Sequence, residues 1–368
     1  MNLEVSKGLV LAIECLDDLD RDSIHLRGAL RVKKTLLVHA GTHKTASTYI
    51  QSRLQVNKDL LLRSGVQLLG IKRKVGSEKI LPAIIRTRNT ELLKSWLEAK
   101  SERCQTLLYS AEQCTQPLLR KNHLCWFLDA LEGMEFELKV SFFLRDQPDY
   151  INSMYIQKVK KFYHSIGIAD YIEQCMYQQP DWFDYDFMFS YMIDNPRVDV
   201  SFLPYGRQFG DPFERLVALP GWLPLSTGDW LPDVGGRAND QPGVKGVYLA
   251  LKVSAELNRL GVDLGRLKYR SRYVRRHLTA LGWPADRYFG LKKQQVEKIR
   301  KFYEKSNNQF AAKVWNDSSW RSVFVGQKDQ PLSVLDESML SVADRREIEN
   351  LVEVVVEDLK EGSPDAFC

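Results

Sequence analysis

The apolar residues of this chain fall into two rhythms. Short runs at Thr35 to Val38, Val66 to Ile71, Thr106 to Tyr109, Leu138 to Leu144 and Val198 to Leu203 have the length and the β-branched or aromatic character of buried strands. Between them lie stretches with apolar residues at helical spacing. One carries Ile50 and Leu54, is closed by Leu60 to Leu62 and is broken at Gly65. Others cover residues 78–100, with Ile80, Ile84, Leu92, Trp96 and Leu97, then Leu118 to Leu131, then Asp149 to about Lys161. Strands alternating with helices across short loops predict an α/β fold with a mostly parallel central sheet and right-handed crossovers. Ligands of such sheets sit outside the carboxyl ends of the strands. The loops after Val38, Tyr109 and Leu144 are therefore expected to converge on one crevice.

Beyond the last strand the pattern is mainly helical. Residues 170–196 are rich in aromatic and acidic side chains; Asp181 to Tyr191 would serve as an acceptor platform through aromatic stacking, although a buried amphipathic helix is the favoured reading. Residues 209–243 carry many Gly and Pro and predict an irregular surface excursion of the kind that forms lids and substrate-binding loops. A helix follows from Gly243 to about Leu260, with Gly261 as its stop, and residues 265–301 are basic, Arg266 to Arg276 most densely. That run reads as a solvated face rather than a glycan-binding patch. Ser341 to Glu361 predicts an acidic helix with Val342, Ile348, Leu351, Val352, Val355 and Leu359 at helical spacing. The expected organisation is an N-terminal extension over 1–33 packed on the core, one domain over 34–330, and a C-terminal helical segment over 331–368. Within the domain, the nucleotide-binding core would cover about 34–210 and the acceptor and lid region about 160–300.

Composition narrows the class without choosing the chemistry. Of 368 residues 44% are apolar and 27% charged, which is the balance of a soluble globular protein and not of a disordered one. A formal charge of +5 is slight for this length, so no nucleic-acid partner is expected. Cys15, Cys104, Cys114, Cys125, Cys175 and Cys368 form no C-x-x-C pair, which suits scattered thiols in a reducing compartment and gives no reason to expect a metal. The apolar run GLVLAIECL is too short to span a bilayer and is followed by Asp17, Asp18 and Asp20 rather than by a cleavage site. A cytoplasmic protein without a membrane span is the expectation.

The chemistry concentrates after the first strand. The loop there carries His39, Gly41, His43, Lys44, Thr45, Ser47 and Thr48, placing cations and hydroxyls where the N–H groups of a helix start point outward. A nucleotide triphosphatase loop needs glycine immediately before the lysine and again five positions earlier. Those positions hold His43 and Val38, and Gly41 lies three residues ahead of Lys44, so the loop turns differently. The other two strand ends are also polar: Ser110, Ala111, Glu112 and Gln113 follow one, and Arg145, Asp146 and Gln147 follow the other.

HAGTHKTASTYIQSRLQVNKDLLLRSGV resembles the 5′-phosphosulfate loop of bacterial sulfotransferases that use 3′-phosphoadenosine 5′-phosphosulfate (PAPS), whose opening reads roughly H-x-G-x-x-K-T-[GA]-[ST]-T-x-x-Q. SFFLRDQPDYINSMYIQKVK is similar to that family's 3′-phosphate motif, a strand ending in Arg145 with Ser153 eight residues on. The resemblance covers residues 34–160 most closely and thins beyond 243. It implies a three-layer fold like that of P-loop nucleotide triphosphatases. It also implies transfer of a sulfuryl group from PAPS to a hydroxyl, leaving 3′-phosphoadenosine 5′-phosphate (PAP), without a metal. Carried over residue by residue, Gly41, His43, Lys44, Thr45, Ala46, Ser47 and Thr48 would bind the 5′ side, Arg145 and Ser153 the 3′-phosphate, and Arg237 and Asn239 would close over the nucleotide. Lys44 would sit near the bridging oxygen. Glu112, at a place where related enzymes carry their base, and His43 are rival bases. Many members have glycine in place of Ala46, which predicts a right-handed backbone there, since alanine tolerates positive φ poorly.

The acceptor is expected to be a carbohydrate or glycoconjugate, with a small secondary metabolite as the alternative. A non-catalytic nucleotide- or glycan-binding protein and a nucleotide kinase are the readings from other classes.

Overall fold

A computed structural model describes residues 33–70, 79–163, 165–223, 230–232, 242–262, 281–283, 288–316, 319–324 and 337–361. The chain divides into two compact units, Met1–Lys34 and Thr35–Cys368. The expected N-terminal extension falls almost wholly outside the described residues, as do Arg237, Asn239 and the basic run Arg266 to Arg276.

The described elements begin with β1 (Lys34–His39), α1 (Ser47–Val56), α2 (Lys58–Arg63), β2 (Val66–Leu69), α3 (Ile80–Thr87), α4 (Thr90–Ser101) and β3 (Thr106–Ser110). A 3₁₀ turn, Glu112–Cys114, leads into α5 (Thr115–Leu119), α6 (Lys121–Glu132), β4 (Phe136–Arg145) and α7 (Gln147–Val159). Next come α8 (Ile168–Glu173), α9 (Tyr185–Ile193), β5 (Val198–Tyr205) and α10 (Pro212–Val217). Helices α11 (Gly243–Arg259), α12 (Lys293–Trp315), α13 (Trp320–Val323) and α14 (Val342–Glu361) follow among the described residues.

Among the described residues five strands form one sheet, all parallel, in the order β2-β3-β1-β4-β5. Leu37 pairs with Leu108 in register, and Leu138 to Arg145 run beside Val198 to Tyr205. Side chains alternate across a strand, and the two faces gather separate cores. Leu36, Val38, Leu107, Tyr109, Val140 and Phe142 face one layer of helices, while Leu37, Leu108 and Phe143 face Ile50, Leu54, Leu61 and Phe213 of α1, α2 and α10. Helices therefore cover both faces, as a parallel sheet requires.

Two expectations are corrected. The helical stretch over 78–100 is two helices, because Arg88 turns left-handed at φ 52° and the Asn89 side chain caps α4, accepting from the Leu92 N–H at 2.9 Å. The excursion after residue 209 begins with a helix rather than a loop: Asp211 caps α10 by accepting from Phe213 N–H at 2.7 Å and Glu214 N–H at 3.2 Å, with Pro212 at the first helical position. Phe213 and Leu216 of that helix are buried. In the aromatic segment the favoured reading holds: α9 is a half-buried helix, with Tyr185 and Phe189 packed against Phe142, Phe202 and Phe310 while Phe187 faces outward.

The C-terminal helix α14 belongs to the same unit as the sheet. Lys245 on α11 pairs with Asp344 at 2.5 Å and Glu347 at 3.0 Å, and the Trp283 indole donates to Glu347 at 2.9 Å. Among the described residues no helix is long and apolar enough to cross a membrane.

Candidate functional site

β1 lies between β3 and β4, so the chain turns outward in opposite directions from this central strand. The carboxyl ends there form the crevice where doubly wound sheets hold their ligands. Three loops leave it: Ala40 to Ala46 after β1, Ala111 to Cys114 after β3, and Arg145 to Gln147 after β4.

The first loop is shaped by its backbone. Gly41, Lys44 and Ala46 all have positive φ, at 56°, 67° and 62°. Ala46 is thus left-handed, against the expectation drawn from its side chain; it stands at the N-terminus of α1, where its carbonyl accepts from Ile50 N–H at 3.0 Å. Forming the helix there offsets the roughly 1 kcal/mol or more that an L-residue loses in this conformation. Left-handed residues on either side of Thr45 give the alternation from which backbone N–H nests for anions are built.

The hydroxyls divide their tasks. Thr42 donates to the Phe143 carbonyl at 2.7 Å and Thr45, fully buried, to the Thr42 carbonyl at 2.6 Å, so both brace the loop from beneath. Thr115 of α5 donates to the carbonyls of Ala40, at 3.1 Å, and Gly41. The Ser47 hydroxyl donates to Glu112 Oε2 at 2.8 Å. Thr48 is exposed at the start of α1.

His39 is the last residue of β1 rather than part of the loop, and it is buried under it. Its Nδ1 lies 2.9 Å from the Ser110 hydroxyl, its Nε2 has no partner among the described residues, and Nε2 would be 3.4 Å from a Cβ added at Gly41. Burial drives its pKa down to about 4, opposed by Glu112, so the ring is neutral at neutral pH.

Lys44 and Arg145, 101 residues apart, meet at the mouth of the crevice. Arg145 Nη1 donates to the Lys44 carbonyl at 3.3 Å. Its Nη2 lies 3.9 Å from Asp149 one turn into α7, its Nε is buried without a partner among the described residues, and the guanidinium stands 5.7 Å from the Tyr205 ring centroid. Burial lowers the Lys44 ammonium from its ordinary range; Arg145 and Lys161 push the same way and Glu112 opposes. Ser153 is buried on α7 two turns from Arg145.

Two neighbours of Lys44 escaped the reading of the sequence. Its ammonium donates to Gln157 Oε1 at 3.5 Å, and the Lys161 charge acts on it. Gln157 and Lys161 stand four and eight residues after Ser153, along the stripe that begins at Asp149, so the i, i+4 rule marks this line once one member is placed.

Glu112 comes to the first loop from β3. Its Oε1 is 3.4 Å from His43 Nδ1. Burial would raise its carboxyl, but His43, the Ser47 hydroxyl and Lys44 outweigh it and hold the group below the usual carboxylate range.

No protein-family model, characterised protein or solved structure matches this chain.

Proposed function

We propose that the chain is a PAPS-dependent sulfotransferase, acting on a hydroxyl of a carbohydrate or glycoconjugate. The observation that carries this reading is the 3.3 Å hydrogen bond from Arg145 to the Lys44 carbonyl, which joins the two motif-bearing loops at one strand-end crevice. A ligand with anions at both ends of a nucleoside suits a loop of three left-handed residues on one side and, on the other, an arginine whose buried Nε has no partner among the described residues. On the same reading the fold is the P-loop-like one of sulfotransferases.

The residues would divide the work as follows. The nest around Lys44 would hold the 5′-phosphosulfate, and Arg145 with Ser153 the 3′-phosphate. In-line sulfuryl transfer builds negative charge on the leaving phosphate and on the equatorial oxygens, much as phosphoryl transfer does, so positioned donors are what it needs. Lys44 would neutralise the charge on the leaving oxygen, and the crowding of Lys44 by Arg145 and Lys161 favours an incoming anion. The Glu112–His43 pair stands beside Lys44 on the side of β3, where an acceptor hydroxyl would be deprotonated.

Thermal unfolding with PAP or PAPS tests the reading. A ligand at a hundred times its dissociation constant adds about 2.7 kcal/mol of stability. A clear rise in melting temperature with PAP is expected; no rise with either nucleotide would sink the proposal, and a rise with ATP and magnesium alone would favour a kinase.

A further inference from the structure

Two groups compete to be the base of the proposed transfer, and their surroundings separate them. Both oxygens of Glu112 are already engaged from the protein side: Oε2 accepts from the Ser47 hydroxyl at 2.8 Å, and Oε1 faces His43 Nδ1 at 3.4 Å. The carboxylate is also 30% exposed at most, and the cation of Lys44 acts on it. Hydrogen bonds donated to a carboxylate stabilise its charged form and make it a weaker base. His43 is the reverse case. Its side chain is 46% exposed, Nδ1 is turned inward to Glu112, and Nε2 has no partner among the described residues.

We propose that His43 Nε2 takes the proton of the acceptor hydroxyl, and that Glu112 is a positioning residue which holds the imidazole by accepting from its Nδ1–H. This rests on the sulfotransferase reading above and sharpens it. A carboxylate on Nδ1 keeps the proton of the neutral ring there and leaves the lone pair on Nε2, which is the logic of base and orienter in hydrolytic triads. Ser47, fixed as the first residue of α1, anchors the far oxygen of Glu112 so that the near one stays on the ring. The 3.4 Å separation is long for a hydrogen bond, and catalytic contacts of this kind commonly tighten in the reacting complex.

The step balances without any further reagent. As the acceptor oxygen forms its bond to sulfur, its proton passes to His43 Nε2, and the bond between sulfur and the 5′-phosphate oxygen breaks. The electron pair of that bond leaves on the phosphate of PAP, opposite Lys44. The imidazolium, stabilised by Glu112, then returns its proton to solvent. The products are a sulfate ester, PAP and one proton.

Two measurements test the assignment. Long-range ¹⁵N–¹H correlation on histidine-labelled protein, at a pH where the ring is neutral, should show His43 protonated on Nδ1, and Glu112→Ala should return it to the Nε2–H form that free imidazole side chains prefer. Release of PAP from PAPS with water as the acceptor gives the second readout. His43→Ala should slow it by about 100-fold or more, added imidazole should restore part of the rate, and PAP should still raise the melting temperature of the variant. The double variant with Glu112→Ala should be no slower than His43→Ala alone. An Nε2-protonated ring in the parent protein, or a His43→Ala variant that keeps its rate while Glu112→Ala loses it, would overturn the assignment with the sulfotransferase reading intact. A parent protein that PAP does not stabilise would remove that reading and this proposal with it.

Discussion

Arg145 and Asp146 are consecutive residues at the end of β4, and each heads a charged cluster of opposite construction. Asp146 is turned into the protein and closed. Its Oδ2 accepts from Arg300 Nε and Nη2, both at 3.0 Å, its Oδ1 accepts from the Trp320 indole at 3.0 Å, and beside it Gln147 and Asn307 exchange amide hydrogen bonds at 2.6 and 2.9 Å. Arg145 is turned to the crevice and open: a 3.3 Å bond to a carbonyl, a carboxylate at 3.9 Å, and an Nε with no partner among the described residues. Both are largely buried, so burial alone separates nothing. What differs is whether the protein supplies the counter-charge. A cluster whose donors and acceptors cancel internally fixes helices in place, as α12 and α13 are fixed on β4. One that carries an excess of cations is stable only at the edge of solvent and favours an anion there.

The strongest challenge to this contrast is Arg300→Met. Removing one partner of a buried pair costs about 3–5 kcal/mol, which urea unfolding would measure, while PAP binding should survive in the fraction that folds. Burial already raises the Asp146 carboxyl, against Arg300 and Trp320. Losing Arg300 raises it further, so the penalty should shrink as pH falls and Asp146 takes up a proton. A variant of full stability that had lost nucleotide binding would reverse the roles of the two clusters.

Lys44→Ala is the mirror experiment. Loss of one positioned donor should slow transfer by about 100- to 1000-fold, with the urea midpoint unchanged or raised, because a crowded cation has gone. Collapse of the fold would place Lys44 with the structural charges instead.

His39 marks where the two plans meet, since it is buried yet lies directly under the loop. Its folded pKa, about 4, is below the ordinary 6.5. The unfolded chain therefore binds more protons between these values, and stability present above pH 6.5 is lost as pH falls to 4, by about 3 kcal/mol. His39→Asn should flatten that part of the pH dependence in urea unfolding.

Arg145→Ala should weaken PAP by about 1.5–3 kcal/mol, the range for hydrogen bonds to charged groups, readable by calorimetry, with little change in stability. The smallest effect is Ala46→Gly. Relief of the left-handed strain, partly offset by the greater freedom of glycine in the unfolded chain, should raise stability by up to about 1 kcal/mol. A decrease would mean that the alanine methyl makes contacts worth more than the strain.

The strands were legible because a strand buried on both faces leaves a plain apolar run, and Leu36 to Val38, Leu107 to Tyr109 and Val140 to Leu144 are such runs. Element ends were less so where a side chain rather than a glycine set them. Asn89 and Asp211 act through hydrogen bonds to N–H groups two or three residues on, and Arg88 and Ala46 take a conformation that their composition argues against. Candidate site residues on strand ends could be listed from the chain, since polar residues after an apolar run are conspicuous. Their division of labour could not: Thr42 and Thr45 brace the loop, Ser47 holds Glu112, and Gln157 reaches Lys44 from another helix.

The sequence by itself determined a parallel α/β core and the three loops that leave its carboxyl edge, because hydrophobic periodicity acts locally and is written residue by residue. Only the tertiary structure decided which charges are satisfied from within and which face outward, and that Arg145 would stand over the Lys44 carbonyl while its neighbour Asp146 paired with Arg300. Those choices depend on partners more than a hundred residues away and on the free-energy cost of leaving a buried charge unpaired, which no local pattern encodes.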